Sequence, residues 1–317
     1  MDVQTNDTLS LVPQTSFDGP ALEFDFPGLQ IGVAEYNEGP TGCTVFHFSK
    51  TAATASDVRG GSVGLTGDYD QNHAICFAGG SLYGLEAATG VTAELFARRG
   101  YGTDWGTLDL VSGAIIYDYG ARTSKVYPDK ALGRAAVRAA RPGRFPLGAR
   151  GAGRSARCGW YTKEASGQGG AFREVGGVKL AVFTVVNALG AVVNRQGEVV
   201  CGNLNDAGDR PSVEEELERR LAEGAANLSK PENMVGNTTL TLVVTNQRLE
   251  PYSLQQLARQ VHASMARAIQ PFHTLNDGDV LFAVTTDAVD EPALREPTLL
   301  GTLAAELAWD AVLNSAP

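Results

Sequence analysis

The sequence predicts an α+β fold in one unit, and three observations carry the prediction. Strand-like and helix-like stretches are segregated in blocks more than they alternate, which argues against a doubly wound parallel sheet. The composition, 43% apolar and 20% charged over 317 residues, is that of an ordinary globular chain long enough for a sizeable core. The 37 glycines point to tight turns or close backbone approaches inside that core.

The elements follow in order. Residues 1–20 are polar and irregular and are expected to stay loose unless docked on a partner. "FPGLQIGVAEY" and "GCTVFHFS" alternate like two strands, and "VRGGSVGLTGDYD" is a glycine-rich connection. "AICFAGGSLYGLEAATGVTAELFARRG" runs from an apolar strand through Gly79-Gly80 into a helix with Leu82, Leu85, Ala88, Val91 and Leu95 on its apolar side. Neither GxxxxGK[ST] nor GxGxxG is present, so these glycines are read as packing residues and not as a phosphate loop. A strand at 110–120 and a helix from Asp129 to Ala140, ending before Pro142, come next. Glycine-laced hairpins lead to the most apolar strand, 178–186, which runs into Asn187.

Residues 203–233 are dense in charge and predict a mobile linker, within which "VEEELERRLAEG" can form one solvated helix. The strand "GNTTLTLVVTN" follows directly. "SLQQLARQVHASMARAIQP" then predicts an amphipathic helix with a Ser253/Gln256 capping box, a stripe of Leu254, Leu257, Val261, Met265 and Ile269, and Pro271 as its terminator. A loop "FHTLNDGD", a strand "VLFAVTTD" and a helix from about Thr298 to Leu313 complete the chain.

Thirty-six acids against 26 basic residues give a net charge of −10, which disfavours nucleic acid and anionic membranes as partners. No apolar run reaches the ~20 residues of a spanning helix, and "MDVQTNDTLS" lacks the basic start and apolar stretch of a secretory signal. The expectation is a soluble, cytoplasmic protein. Cys43, Cys76, Cys158 and Cys201 are scattered without a CxxC and read as small buried hydrophobes. His47, His73, His262 and His273 are equally dispersed and read as surface or satisfied core histidines, so no metal is expected.

The chemistry concentrates at Asn237-Thr238. A hydroxyl nucleophile needs a base, and a residue at the start of a chain has one in its own α-amine, whose pKa of about 8 lies near working pH. Thr238 could release that amine itself by attacking the Asn237 carbonyl, with hydrolysis of the resulting ester; Gly236 would permit the backbone strain. Asn-Thr pairs are also common, and β-branched threonine suits any strand.

Six ordered blocks, "VRGGSVGLTGDYDQNHAICFAGGSLYGLEAATGV", "YPDKALGRAA", "RGAGRSA", "VVNALGAVVN", "GNTTLTLVVTN" and "IQPFHTLNDGDVLFAVTTD", together resemble the self-cleaving N-terminal-nucleophile amidohydrolases that include the β-peptidyl and D-aminopeptidases. The likeness runs from about residue 22 to the C-terminus. It looks strongest to the branch acting on 6-aminohexanoate oligomers, through "FDFPGLQIGVAEYNEGPTGCTVFHF" and "AIIYDYGARTSKVYPDKALGRA".

The resemblance implies a four-layer αββα sandwich and a precursor cut between Asn237 and Thr238 into chains 1–237 and 238–317. It also implies a homotetramer of these two-chain units without a cofactor. Thr238 matches the nucleophile, and Asp277 and Asp279 match a pair of acids that would orient the Thr238 amine, although "NDGD" is also ordinary turn composition. Asn187 matches an oxyanion donor and could equally be a turn residue; Tyr117 matches the substrate pocket and could equally be core.

One position departs from the pattern. A lysine beside the nucleophile is implied where Trp160 stands, and Lys163, three residues on, could take the role as charge partner if the hairpin bulges or is shorter, although strand alternation would turn it away. The leading expectation is hydrolysis of linear amides in 6-aminohexanoate oligomers. The alternatives are an aminopeptidase for β-amino or D-amino residues, an acyltransferase handing the acyl group to an amine, and a non-catalytic scaffold that expects an uncut chain.

Overall fold

The computed structural model describes residues 3–223 and 237–316. Gly236 and residues 224–233 of the expected linker lie outside them. Within 203–223 the charged helix is present as Val213–Ala222, opened by the reciprocal Ser212 and Glu215 capping bonds.

The centre is a nine-stranded sheet that runs Gln168–Val175, Val178–Asn187, Thr238–Gln247, Val280–Val289, Thr41–Val58, Gln71–Ala78, Val111–Ile115 and Leu65–Thr66, with Leu29–Tyr36 paired to Thr41–Val58. The long strand Thr41–Val58 joins two halves. Its first part pairs with Leu29–Tyr36 and Gln71–Ala78, and its last part, from Ala53 to Val58, pairs with Val280–Val289. The register shifts between His47 and Ala52, where the strand passes from one half to the other.

Period-two alternation decides which face of each half meets what. Ile31, Phe46, Ile75 and Phe77 from one half share a buried cluster with Phe183, Leu242, Val244 and Phe282 from the other, so the two halves face each other. Phe46 and Phe183 lie 5.3 Å apart between ring centres across that interface. The outer faces are covered by helices. α1 (Glu86–Arg98) and α2 (Lys130–Arg138) pack on Val45, Ala74 and Cys76. α4 (Pro251–Ser264) and α5 (Pro297–Leu313) pack on Leu180, Val182, Val243 and Leu281, the helix Val213–Ala222 being α3. The order helix, sheet, sheet, helix is the four-layer αββα sandwich.

Several local expectations are corrected. Leu82 is 61% exposed, because a 3₁₀ turn, Ser81–Leu85, precedes α1 and turns it away from the apolar stripe. The 110–120 strand is confined to Val111–Ile115. α4 starts at Pro251, whose fixed φ suits a first helical turn, so Ser253 and Gln256 form no capping box. α4 also ends at Ser264; Met265 sits in a 3₁₀ turn and Ile269 in a short strand, so Pro271 does not terminate the helix.

The N-terminal segment docks on its own chain, with Gln14 bridged to Glu35 and with Leu9 and Leu11 packed on the α1/α2 core. The cysteines are buried as expected, but they are not scattered in space: Cys158 and Cys201 have their Sγ atoms 3.4 Å apart. Among the described residues no helix is long and apolar enough to cross a membrane.

Candidate active site

The strand Thr238–Gln247 is the middle of its half-sheet and is buried along its whole length. It pairs antiparallel with Val178–Asn187, putting Thr238 opposite Asn187, and parallel with Val280–Val289, putting Leu240 beside Val280. Leu240, Leu242 and Val244 anchor it between the sheets while Val243 faces the α4/α5 layer. Thr238 is therefore held by a strand that has no freedom to shift register.

The peptide between Asn237 and Thr238 sits in a specific cradle. The Asn237 carbonyl accepts the Thr238 hydroxyl at 2.6 Å and the Gly278 N–H at 2.8 Å. Asn237 itself bridges to the Asp277 backbone, and its N–H donates to the Asn276 carbonyl at 3.3 Å. Gly278 has to be glycine here: a Cβ would lie 2.2 Å from the Ser62 carbonyl oxygen and 3.0 Å from the Thr238 Oγ. Gly60, at φ +87°, meets the same turn so closely that a Cβ would lie 2.1 Å from the Asp277 carbonyl oxygen. The glycine-rich connection is thus the floor under the "NDGD" turn.

The structure brings the two acids beside Thr238, but in the continuous chain their hydrogen bonds run to neighbours. Asp277 accepts from the Thr274 N–H at 2.9 Å, the Thr274 hydroxyl at 2.8 Å and the Leu189 N–H at 3.3 Å, which fixes the turn. Asp279 accepts from the Thr239 N–H at 2.7 Å, and its other oxygen lies 2.9 Å from His273 Nδ1. Burial pushes the Asp279 carboxyl up to about 6, against the pull of the His273 bond, and the neighbouring Asp277 adds to the rise.

Lys163 reaches the site. Its ammonium donates to the Asn237 side-chain oxygen at 2.5 Å and to the Ala188 carbonyl at 2.9 Å. Burial lowers its pKa to about 8. The alternation argument that would turn it away does not apply, because Lys163 stands in the turn between the paired strands Arg157–Cys158 and Glu164–Ala165. Trp160 lies in that turn too, with its N–H and that of Tyr161 both donating to the Asn203 side-chain oxygen, at 2.8 and 3.1 Å.

Asn187 ends its strand opposite Thr238, donates its amide to the Tyr117 carbonyl at 3.0 Å and accepts from the Arg157 N–H at 3.1 Å. Tyr117 also lines a cleft of about 480 Å³, together with Tyr83, Tyr119, Tyr127 and Lys125. Asn187 therefore ties the end of the threonine strand to the backbone of one residue that lines the cleft.

His273 and the Gly278 N–H are the groups that sequence reasoning missed. His273 lies six residues before Asp279, in "FHTLNDGD", and its φ of +59° lets the loop fold its ring back onto that carboxylate. Its ring stacks edge-on against His262, at 4.4 Å between centres, and His262 pairs with Asp57 at 2.8 Å. Two of the four dispersed histidines are thus joined behind the site. Burial brings His262 down to about 4 despite that partner, so it is neutral at ordinary pH.

Comparison with known proteins shows the family and the fold. Residues 24–316 match peptidase family S58. A 6-aminohexanoate-oligomer endohydrolase of Agromyces sp. (strain KY5R) is 49% identical over 98% of this chain and 90% of its own length. Two solved structures share the fold: a Burkholderia sp. beta-aminopeptidase, with TM-score 0.65 at 16% identity over 94% of this chain and 88% of that one, and the L-aminopeptidase D-Ala-esterase/amidase of Ochrobactrum anthropi, with TM-score 0.64 at 17% identity over 95% and 87%. The second is described as a variant of the N-terminal-nucleophile hydrolase fold, and that fold is the one found here. The chain belongs to peptidase family S58.

Proposed function

We propose that this protein is an amidohydrolase that releases Thr238 as an N-terminal nucleophile and then cuts linear amide bonds in 6-aminohexanoate oligomers or related polyamides. The observation that carries the reading is the Asn237 carbonyl, flanked by the Thr238 hydroxyl and the Gly278 N–H. In the first reaction the Thr238 oxygen attacks the Asn237 carbonyl carbon, while the Gly278 N–H, already on the carbonyl oxygen, stabilises the oxyanion. The C–N bond then breaks as the proton given up by the Thr238 hydroxyl passes to the Thr238 nitrogen, and an ester joins Asn237 to the Thr238 oxygen. Water hydrolyses the ester to a carboxylate on Asn237 and the free hydroxyl of Thr238, whose amine the shift has already released. Lys163 supplies positive charge beside Asn237 throughout.

In the mature enzyme the Thr238 α-amine accepts the hydroxyl proton as the oxygen attacks a substrate amide, and returns it to the leaving amine. The Asn187 amide donates to the substrate oxyanion, and water resolves the acyl-enzyme. Asp277 and Asp279 keep the turn in register and hold the amine's surroundings negative. Tyr117 opens the cleft that receives the acyl chain. None of these steps calls on a cofactor. The resemblance to the family leads us further, to a cytoplasmic homotetramer of two-chain units, which light scattering on the purified protein checks.

The second reading, a peptidase for β-amino or D-amino N-terminal residues, draws on the aminopeptidases that share the fold. Hydrolysis of a linear 6-aminohexanoate oligomer is measured against hydrolysis of β-alanyl and D-alanyl amides. Faster turnover of the oligomer supports the first reading; turnover of the aminoacyl amides alone replaces it with the second. Product partitioning toward added amines would indicate the acyltransferase. Lys163 at the site weighs against the non-catalytic scaffold.

A further inference from the structure

The N-terminal residues, expected to be loose, are built into the cleft. Thr5, Asn6 and Asp7 line it together with the tyrosines. The Asn6 side chain is clamped at both ends: its Nδ2 donates to the Tyr127 carbonyl at 3.0 Å and to Asp129 at 3.1 Å, and its Oδ1 accepts the Tyr127 N–H at 3.0 Å. The Lys125 N–H donates to the Gln4 carbonyl at 2.8 Å. The turn braces itself, with the Thr8 hydroxyl accepting the Thr5 N–H at 2.9 Å, and Leu9 anchors it on the core just beyond. The family match begins at residue 24, so this strap lies outside it.

We propose that Thr5–Asp7 is a specificity-determining wall of the acyl cleft, which holds the repeating units of a linear aliphatic polyamide beyond the one being cleaved. The proposal rests on the amidohydrolase reading above. Tyr119 lies under the Arg122 guanidinium at 4.2 Å and Tyr127 is hydrogen-bonded to Glu86, which leaves Tyr83 and Tyr117 to meet a methylene run with their rings and an amide with their hydroxyls. A chain without side chains gives little else to recognise, so a second wall that narrows the cleft raises the contact made by each further unit. The strap adds nothing at the Thr238 end, where Tyr117 and Asn187 act, and its contribution is to substrate length.

The test uses Asn6→Ala, which removes the clamp, and a deletion of residues 2–7, which removes the strap and keeps Leu9. KM and kcat are measured on a linear 6-aminohexanoate tetramer and on the short anilide of 6-aminohexanoate. Release of the fragment starting at Thr238, which needs no substrate, reports that each variant has folded; should the deletion misfold, Asn6→Ala carries the test. Both variants should raise KM for the tetramer about tenfold more than KM for the anilide, with kcat ratios little changed. Equal changes on both substrates, or an unaltered tetramer KM in an active variant, would overturn the wall. A parent enzyme inert on both substrates would instead sink the amidohydrolase reading, and the wall with it.

Discussion

Two buried polar clusters occupy opposite halves of the sandwich, and they are satisfied to different degrees. Beside the α1/α2 half, Asp118 and Arg122 are both 1% exposed and pair at 2.9 Å. Asp118 also accepts from the Thr41 hydroxyl and the Gly80 N–H, and Arg122 donates to the carbonyls of Ser124 and Val126. Beside the α4/α5 half, Asp279 and Lys163 are shifted toward neutrality, and Asn237 Nδ2, Thr239 Oγ, His262 Nε2 and His273 Nε2 are buried without a partner. Burial of charge is common to both. What separates them is that the first cluster has spent its hydrogen bonds on structure, Arg122 Nε excepted, while the second keeps ionisation states near working pH and donors still to be used.

Thr238→Ala breaks the comparison hardest, because it removes the atom on which the reactive cluster centres. The variant should remain one 33.4 kDa chain on a denaturing gel and lose amide hydrolysis by about 10⁴-fold or more. Lys163→Met comes next. It leaves the Asn237 side chain without its cation, and precursor cleavage followed by mass spectrometry should slow by about 10²–10³-fold.

The same lysine gives the pH dependence its sign. Its pKa is lowered to about 8, and it acts as a cation, so cleavage of the parent precursor should fall as pH rises through about 8. The Lys163→Met precursor should lack that inflection, the α-amine of Thr238 not yet being free to titrate. A rate that rises through pH 8 would make Lys163 a base instead.

Arg122→Met tests the other side. Leaving Asp118 buried and unpaired should lower stability by about 3 kcal/mol in a denaturant titration. The folded fraction should nevertheless cleave itself at the parent rate, which a structural cluster predicts and a catalytic one does not. The smallest effect is expected of Trp160→Phe. Trp160 meets its partner Asn203 through its backbone N–H, so precursor cleavage should stay within about twofold of the parent rate.

What the sequence disclosed, and what it did not, follows from the same physics. The threonine strand was legible because strand periodicity is a local property, whereas Asp277, Asp279 and Asn187 read locally as turn residues and were singled out only by the resemblance to the family; the structure places all of them at one end of one half-sheet. Lys163 was offered as the charge partner against an alternation argument, which has no force in the turn where it stands. His273 was passed over because its approach to Asp279 depends on a left-handed backbone at a non-glycine residue, which composition does not signal. The docking of Asn6 on Tyr127, 121 positions away, is a long-range contact that no local pattern encodes. The first turn of α4 misled for the opposite reason: Ser253 and Gln256 have capping-box spacing, but Pro251 had already started the helix.

The central claim is that Thr238 becomes the first residue of a chain. The measurement that meets it most directly is the intact mass of the purified protein under denaturing conditions, with N-terminal sequencing of any smaller fragment. Two chains, the smaller beginning Thr238-Thr239-Leu240, are predicted. A single 33.4 kDa chain that leaves amides untouched would contradict the account.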